Sequence, residues 1–329
     1  MDVPDYKLPE EAIAQTPVEP RHSARLLDAT GEAVIHRAVA DLPQLVGPGD
    51  VVVVNDSKVI PARLLLEKGT GGAAEVLLLD ALDGQEWVAL VRPGRRLPPG
   101  TLLGPAGGGD PVVEVGERCS DDGRRRIRFL ADPSEVVART GTMALPPYIH
   151  TPLEREDRYQ TVYARRPGSV AAPTAGLHLT DEVMEGIEAA GASIERVDLA
   201  VGLATFRPVN TDRAEDHVMH VERYLIPDRT WEACSSARRV IAIGTTTVRA
   251  LESAALTGRL EGGSDLFIRP GFTFSVVDVL LTNFHLPRST LLLLLEAFVG
   301  PRWRDLYATA LDAGYRFLSF GDAMLVARA

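Results

Sequence analysis

Hydrophobic and polar positions alternate in three different ways along the chain. The segment 50–66 opens with four consecutive valines and becomes polar at Asn55, which predicts a buried strand that ends in a polar loop. From residue 62 to about 147, short apolar runs are separated by Gly, Pro and Asp, a pattern typical of a small antiparallel barrel or sandwich. Beyond it, helical and extended patterns alternate, which favours a layered sheet covered by helices.

Individual elements are clearest in the second half. The predicted helices are 181–190, 229–238, 246–256, 289–298 and 302–313, and the predicted strands are 194–201, 240–243, 267–268, 276–281 and 323–327. The first 60 residues have too few apolar positions for a core of their own. We therefore expect them to join the second half, with the barrel-like segment inserted into one larger α/β domain.

Length and composition are those of a globular protein rather than of a membrane, secreted or disulfide-rich one. A chain of 329 residues exceeds the usual size of one core, and 45% apolar with 24% charged residues is ordinary for a globular protein. The longest apolar run falls short of the ~20 residues of a membrane helix. The acidic start MDVPDYKLPEE lacks a signal-peptide pattern. With two distant cysteines and no CxxC pair, a disulfide framework is not expected. We therefore expect a cytoplasmic protein without membrane attachment.

Charge bears on nucleic-acid binding in two opposite ways. The net charge of −10 argues against bulk attraction to nucleic acid. The segment 63–139 is nevertheless close to neutral and contains Arg92, Arg95, Arg96 and an arginine-rich run at 124–128. Arginine grips phosphate with two hydrogen bonds. A local phosphate-binding surface and a merely solvated face are both consistent with this pattern.

A glycine and three threonines follow the predicted strand 240–243. Gly244 permits a sharp turn, and the free N–H groups of a helix start, together with the hydroxyls of Thr245 and Thr246, can hold an anionic or polar ligand. Arg249 lies one turn further along the predicted helix. An ordinary capped turn has a similar sequence, so no nucleotide class follows from this motif.

The run LTNFHLPRST at 281–290 is the most specific candidate for chemistry. Thr282, Asn283 and His285 follow an apolar strand, and ligands commonly bind α/β sheets at the carboxyl ends of strands. Two further candidates are His178, among small residues at 170–180, and Asp322, in a Gly-led turn before the last strand. A lone histidine among Ala and Leu is more often a structural group.

A second cluster places Arg207, His217, His220 and Glu222 within sixteen residues. The spacing His-x-x-His-x-Glu invites a metal site. The three side chains, however, share one face neither in a helix nor in a strand. A carboxylate beside imidazoles suits proton transfer near neutral pH, so acid–base chemistry is the favoured interpretation and surface polarity the alternative.

Unusual sequence strings occur along 5–325 in the order of one known family. They are DYKLPEEAIAQTPVEPRHSARLL, NDSKVIPARL, LPPYI…DRYQTVYA, VAAPTAGLHLT, GLATFRPV, GTTTVRALES, LLTNFHLPRSTL and YRFLSFGDAML. On these strings the chain resembles the S-adenosylmethionine:tRNA ribosyltransferase-isomerase family of queuosine biosynthesis, over nearly its whole length.

The resemblance implies a complete fold and a reaction. The fold is α/β: a helix-covered, three-layer mixed sheet from residues 1–61 and 148–329, with an inserted small antiparallel β-barrel of six strands at 62–147. The reaction moves the ribosyl part of S-adenosylmethionine onto 7-aminomethyl-7-deazaguanine in a tRNA anticodon and isomerises it. The product is epoxyqueuosine, and adenine and methionine leave. S-adenosylmethionine is a co-substrate, and no metal or prosthetic group is implied.

This chemistry requires a base beside the sulfonium, a proton or hydrogen-bond donor for adenine, and groups that orient the ribose and the methionine carboxylate. We expect catalysis from Glu222, His285 and His220. We expect S-adenosylmethionine to be bound by His178, Thr205, Arg207, Thr245, Thr246, Arg249, Asn283 and Asp322. Which group is base and which is acid stays open. The expected partners are S-adenosylmethionine and the tRNA, and the expected state is a monomer.

Departures from the family pattern leave alternatives open. Ala200 stands where His is usual, Ala204 where Gly is usual, and Leu179 where Phe is usual. Gly262 and Arg269 replace common aromatic residues, and Ala74 a common basic one. A missing imidazole is consistent with a paralogue that uses S-adenosylmethionine on another acceptor. A catalytically silent tRNA-binding protein and a metal-dependent hydrolase are weaker alternatives.

Overall fold

The computed structural model describes residues 3–119, 123–202, 213–217 and 219–329. It divides into two compact units, Met1–Lys58 with Pro146–Ala329 and Val59–Leu145. The strands are β1 (Arg25–Ala29), β2 (Ile35–Ala38), β3 (Asp50–Asn55), β4 (Ser57–Val59), β5 (Arg63–Lys68), β6 (Ala73–Ala81), β7 (Glu86–Arg92), β8 (Leu102–Pro105), β9 (Val113–Arg118), β10 (Arg124–Phe129), β11 (Gly141–Thr142), β12 (Arg166–Ser169), β13 (Ser193–Leu199), β14 (Glu222–Leu225), β15 (Arg239–Ile243), β16 (Glu261–Ser264), β17 (Val279–Asn283) and β18 (Ala323–Ala327). The helices are α1 (Pro133–Thr140), α2 (Asp181–Ala189), α3 (Asp228–Ser236), α4 (Thr245–Thr257), α5 (Thr290–Val299) and α6 (Trp303–Asp312).

The larger unit is organised around a nine-stranded mixed sheet in the order β16-β14-β13-β3-β15-β17-β18-β1-β2. Its centre, β13, β3, β15 and β17, is parallel. Strand β18 runs antiparallel to β17 and parallel to β1, while β14, β16 and β2 are added antiparallel at the two sides. The carboxyl ends of the central strands therefore lie along one edge of the sheet.

Helices cover both faces of this sheet because its central strands are apolar on both sides. Val51 and Val53 of β3 join a core with α4, α5 and α6. The alternate residues Val52 and Val54 join a second core with α2. Successive strand residues point to opposite faces, so four consecutive valines are the expected sequence of a strand buried on both sides. The predicted three-layer, helix-covered mixed sheet is confirmed.

Local sequence signals set the helix ends. The Thr180 hydroxyl accepts a hydrogen bond from the Val183 N–H at the start of α2, and Ser289 does the same for Leu292 at the start of α5. The turn before α4 is made by Gly244, whose φ of 90° is strained for any residue with a Cβ. These caps agree with the predicted helix starts at 181 and 289 to within one residue.

The smaller unit contains a closed six-stranded antiparallel barrel in the order β5-β6-β7-β10-β9-β8. Pairing of β5 with β8 closes the barrel, and the short strand β11 pairs with β5. Strand β10 shows why it closes around a core: Ile127 and Phe129 are buried, whereas Arg126 and Arg128 point outward. The outward arginines pair with Glu86 and Glu114, respectively. The predicted inserted barrel is therefore confirmed as an architecture.

Some predicted elements differ from the structure. The prediction of a strand at 267–268 is wrong, because this segment is an irregular connection after β16. Strand β17 begins at Val279 rather than at 276, because the N–H groups of Ser275, Val276 and Val277 bind the buried Glu252 carboxylate instead of a neighbouring strand. Among the described residues, no helix combines the length and apolarity needed to cross a membrane.

Candidate active site

The ends of three neighbouring parallel strands bring the predicted polar motifs together. Asn55 ends β3, Gly244 follows β15, and Asn283 ends β17. A cavity opens at this edge; we call it the strand-end cavity. It is lined by Ala172, Pro173, Thr174, Ala175, Val201, Gly244, Thr245, Thr246, Thr282, Asn283, His285 and Leu291. Ligand sites at the carboxyl ends of parallel strands are the rule in α/β folds.

Asn55 ties the strand ends to one another. Its amide nitrogen donates to the Leu199 carbonyl at 3.0 Å and to the Thr246 hydroxyl at 3.2 Å. Its oxygen accepts from the N–H groups of Leu199 and Ser57. This fully buried side chain thus fixes the hydroxyl of Thr246 at the cavity wall. The predicted polar loop after the valine run contained this residue, but only the tertiary structure assigns it a positioning role.

His178, Asn283 and Asp322 form a connected group behind the strand-end cavity. Asn283 Nδ2 lies 3.0 Å from His178 Nε2 and donates to the Asp322 carbonyl at 3.3 Å. Burial lowers the pKa of His178 to about 4, so the ring is neutral at physiological pH. The Asp322 carboxylate accepts from the backbone N–H groups of Arg25 and Arg316 and thereby holds the turn before β18.

His285 is held by two tyrosines that the sequence patterns do not reveal. The Tyr307 hydroxyl accepts from the His285 N–H at 2.9 Å and lies 3.3 Å from its Nδ1. The Tyr6 hydroxyl donates to the His285 carbonyl at 2.5 Å. On the other side of the ring, Nε2 lies 2.9 Å from the Thr282 hydroxyl. Complete burial lowers the pKa of His285 to about 3.

A second cavity adjoins the first, because Leu291 lines both; we call it the ion-pair cavity. Its walls are His217, Met219, His220, Glu222, Arg249, Leu266, Phe267, Ile268, Thr290, Leu291 and Leu294. The structure therefore brings together Glu222, His220 and Arg249, which the sequence predicted from two distant motifs.

The ion pair consists of Glu222 on β14 and Arg249 on α4. Their side chains are only 7% and 6% exposed, and Arg249 also donates to the carbonyls of Leu266 and Ser264. The other carboxylate oxygen of Glu222 accepts from the Gly202 N–H at 3.0 Å. A buried ion pair needs such additional hydrogen bonds to offset its desolvation. The carboxylate is thus fixed in place within the cavity wall.

His217 and His220 stand on the outer side of this cavity. His217 is about half-buried, and its ring meets Phe267 edge-on, with ring centroids 5.6 Å apart. Burial, and secondly the neighbouring His220, lower the pKa of His217. In the part of the chain that the structure describes, no three His, Cys, Asp or Glu side chains are grouped as a metal site requires.

Two predicted site residues in the described part of the chain, His178 and Asp322, line neither of the two cavities. The side chain of Asp322 is directed to backbone amides, as described above. Thr205 and Arg207 fall in 203–212, outside the described residues, as does Ala204. Ala200 follows β13, where its N–H donates to the Arg223 carbonyl at 3.0 Å, and it lines neither cavity. The residues missed by the sequence are Tyr6, Asn55 and Tyr307, since each acts through a partner distant in sequence.

Comparisons with known proteins show the family to which the chain belongs. A sequence profile described as "Queuosine biosynthesis protein" matches residues 2–326. A protein of Rubrobacter xylanophilus named S-adenosylmethionine:tRNA ribosyltransferase-isomerase is 51% identical over 325 residues, which cover 98% of this chain and 96% of the relative. A Gloeobacter violaceus protein of the same name is 48% identical, covering 98% and 94%.

The fold is also similar to a solved structure. The crystal structure of S-adenosylmethionine tRNA ribosyltransferase from Thermotoga maritima is 35% identical in sequence, with a TM-score of 0.55, and the match covers 98% of this chain and 99% of that one. Similarity of this extent spans both compact units. The chain belongs to the queuosine biosynthesis protein family.

Proposed function

We propose that this chain transfers and isomerises the ribosyl part of S-adenosylmethionine onto 7-aminomethyl-7-deazaguanine at the wobble position of a tRNA anticodon. The products are epoxyqueuosine in tRNA, adenine and methionine. The observation that carries the proposal is the 51% identity, over 98% of the chain, with a relative that bears the name of this activity. The relatives' names favour this acceptor over the different acceptor that Ala200 and Ala204 left open.

The two adjoining cavities suit a substrate with a charged and an uncharged part. S-adenosylmethionine carries a sulfonium cation on one side of its ribose and an uncharged base on the other. We place the sulfonium in the ion-pair cavity, where the Glu222 carboxylate is held by Arg249 and Gly202. We place the adenosine in the strand-end cavity, where the polar lining is uncharged.

Glu222 is our assignment for the base that removes a proton beside the sulfonium. The cation makes that proton acidic, and a carboxylate fixed by two donors needs little reorientation to accept it. His220 lines the same cavity and is the assigned partner in proton transfer. His285, predicted as catalytic, enters the proposal as a neutral imidazole, because burial lowers its pKa to about 3.

The remaining binding residues divide between the two cavities. Thr245, Thr246 and Asn283 face the strand-end cavity and Arg249 the other. His178 and Asp322 act through Asn283 and its surroundings. Thr205 and Arg207 stay predictions. We further infer that no metal or prosthetic group takes part, that S-adenosylmethionine is a co-substrate, and that the protein works as a cytoplasmic monomer without membrane attachment.

The test is a reaction with defined substrates. Purified protein is incubated with S-adenosylmethionine and tRNA that carries 7-aminomethyl-7-deazaguanine; adenine is quantified, and the digested tRNA is analysed for epoxyqueuosine by mass spectrometry. We expect both products in equal amounts, and neither with tRNA that carries guanine at the wobble position. Adenine release that requires another acceptor, or no release at all, would overturn the proposal.

A further inference from the structure

Two consecutive residues at the end of β17 present polar atoms to the strand-end cavity. Asn283 uses its amide nitrogen twice, toward His178 Nε2 at 3.0 Å and the Asp322 carbonyl at 3.3 Å. Both amide protons are therefore engaged behind the cavity. These partners fix the orientation of the Asn283 amide, because the reverse orientation would place its oxygen against the Asp322 carbonyl oxygen. Asn283 Oδ1 consequently points away from both partners.

The Asn283 oxygen is buried and, among the described residues, has no hydrogen-bond donor. The residue is 4% exposed. An unsatisfied buried acceptor costs free energy, which a donor group of a bound molecule would recover. Since Asn283 lines the strand-end cavity, a molecule bound there is our candidate donor for this oxygen.

The neighbouring Thr282 hydroxyl is set up as a donor. We assign the Tyr307 hydroxyl proton to His285 Nδ1, because this hydroxyl already accepts from the His285 N–H. His285 then carries its ring proton on Nε2 and donates it to Thr282 Oγ1 at 2.9 Å. With its oxygen accepting from His285, Thr282 is left to donate its proton to a group in the cavity that it lines.

We propose that Asn283 and Thr282 recognise the adenine base of S-adenosylmethionine. Asn283 Oδ1 accepts a hydrogen bond from the 6-amino group, and the Thr282 hydroxyl donates to an adjacent ring nitrogen. His178 and Tyr307 are positioning residues that fix these two atoms. The inference rests on the proposed function, which makes S-adenosylmethionine the substrate. It goes beyond that function because it names the groups that recognise the adenine base.

The tRNA base is the competing occupant, since a deazaguanine also carries donors and an acceptor. Adenine is favoured because the strand-end cavity adjoins the ion-pair cavity through Leu291. One small molecule can therefore place its base beside Asn283 and its sulfonium beside Glu222. The tRNA base carries its aminomethyl cation directly on the ring, whereas in S-adenosylmethionine a ribose separates the base from the sulfonium, which suits two adjoining cavities.

The first test compares two inhibitors that differ at one position of the base. S-adenosylhomocysteine and S-inosylhomocysteine, in which oxygen replaces the 6-amino group, are measured as competitors of S-adenosylmethionine. A site built to bind the amino group should hold the inosyl compound at least about tenfold more weakly. Equal inhibition constants, or no inhibition by either compound, would overturn the inference with the unmodified protein alone.

Variants then test which residue distinguishes the adenosyl inhibitor from the inosyl inhibitor. Asn283→Ala should weaken the binding of S-adenosylhomocysteine about tenfold. It should also bring the ratio of the two inhibition constants close to one. Gln44→Ala removes an exposed amide that contacts only Asp41 in the described structure and should leave the ratio unchanged. If Asn283→Ala instead preserves the ratio of the inhibition constants and raises only the KM for tRNA, the strand-end cavity binds the tRNA base and the inference fails.

Thr282→Val tests the donor, because it removes the hydroxyl while keeping the side-chain shape. The 1-deaza and 7-deaza analogues of S-adenosylhomocysteine each lack one ring nitrogen. One of them should bind the unmodified protein about tenfold more weakly, and Thr282→Val should abolish that difference. If both analogues bind as tightly as the parent compound, the role of Thr282 is refuted. Adenine release by the unmodified protein tests the proposed function separately from all of these ratios.

Discussion

The two histidine pairs of the larger unit differ in their surroundings although both line or support the same site. His178 and His285 are fully enclosed at the strand ends, hydrogen-bonded to Asn283, Thr282 and Tyr307. Burial brings their pKa values to about 4 and about 3. His217 and His220 are only partly enclosed and line the ion-pair cavity.

This difference separates positioning from proton transfer. A histidine that stays neutral at every physiological pH is a fixed hydrogen-bonding group, and the strand-end pair fits that role. Proton transfer during turnover requires a group that takes up a proton and releases it again. The comparison therefore directs the search for the acid and base to the ion-pair cavity, and the following changes test it.

Glu222→Gln should have the largest effect. Loss of the proposed base should lower kcat about 10³-fold. The change also leaves the buried Arg249 guanidinium without its counter-charge, which should lower the free energy of unfolding by about 3 kcal/mol. Both are measured, by turnover and by urea unfolding. The control Glu232→Gln changes an exposed carboxylate on α3 and should affect neither; an unchanged kcat in Glu222→Gln would contradict the assignment.

The strand-end histidines should make the protein sensitive to acid. In the unfolded chain both titrate near 6.5, well above their folded pKa values of about 4 and about 3. Below pH 6.5 the unfolded chain therefore binds more protons than the folded chain, so the free energy of unfolding falls as the pH falls toward about 4. Each histidine should contribute a loss of about 2–3 kcal/mol between pH 7 and pH 4.5.

The contribution of one histidine is measured by comparing how steeply the free energy of unfolding depends on pH in different variants. Urea unfolding of His285→Gln should depend less steeply on pH than that of the unmodified protein, because one of the two buried imidazoles is gone. The exposed His150 is the matched site, and His150→Gln should keep the original slope. An identical slope in all three proteins would show that carboxylates alone cause the acid sensitivity.

Tyr307→Phe should have a moderate effect. It leaves the buried His285 N–H without an acceptor, at a cost of about 1–3 kcal/mol in stability. It should also lower kcat/KM about tenfold, because the His285 ring is no longer fixed toward Thr282. Tyr315→Phe is a control for stability alone, since its hydroxyl contacts His36 away from both cavities. If both variants kept full kcat/KM, the positioning role of Tyr307 would be refuted.

Ala200→His should have the smallest effect. The family pattern has a histidine here, but Ala200 lines neither cavity. We expect less than about a threefold change in kcat/KM, measured with the tRNA substrate, and Ala200→Gln should behave alike. A large gain confined to the histidine variant would show that the imidazole belongs to the site after all.

Sequence patterns anticipated much of the architecture because they reflect burial. The valine run of β3 and the apolar helix α5 each have a local signature, and the structure confirms them. The irregular connection at 267–268 could not be predicted, since two apolar residues look alike in a strand and in a cavity wall.

The candidate site was only partly predictable for a different reason. The polar motifs around Glu222, Asn283 and His285 are visible as strings, but their partners are not. Tyr6 and Tyr307 contact His285 from 279 and 22 residues away along the chain. Such contacts depend on the complete tertiary structure, and so do the pKa values that distinguish the two histidine pairs.

The position of β18 has a consequence for synthesis on the ribosome. This strand, Ala323–Ala327, lies between β17 and β1, so it must insert between two strands that are made earlier. Asp322, just before it, supplies the carbonyl that orients Asn283. A nascent chain that has not yet released this segment therefore lacks both the strand that joins β17 to β1 and the Asn283 geometry. Such long-range pairing slows folding, and substrate recognition should appear only after this segment has left the ribosome.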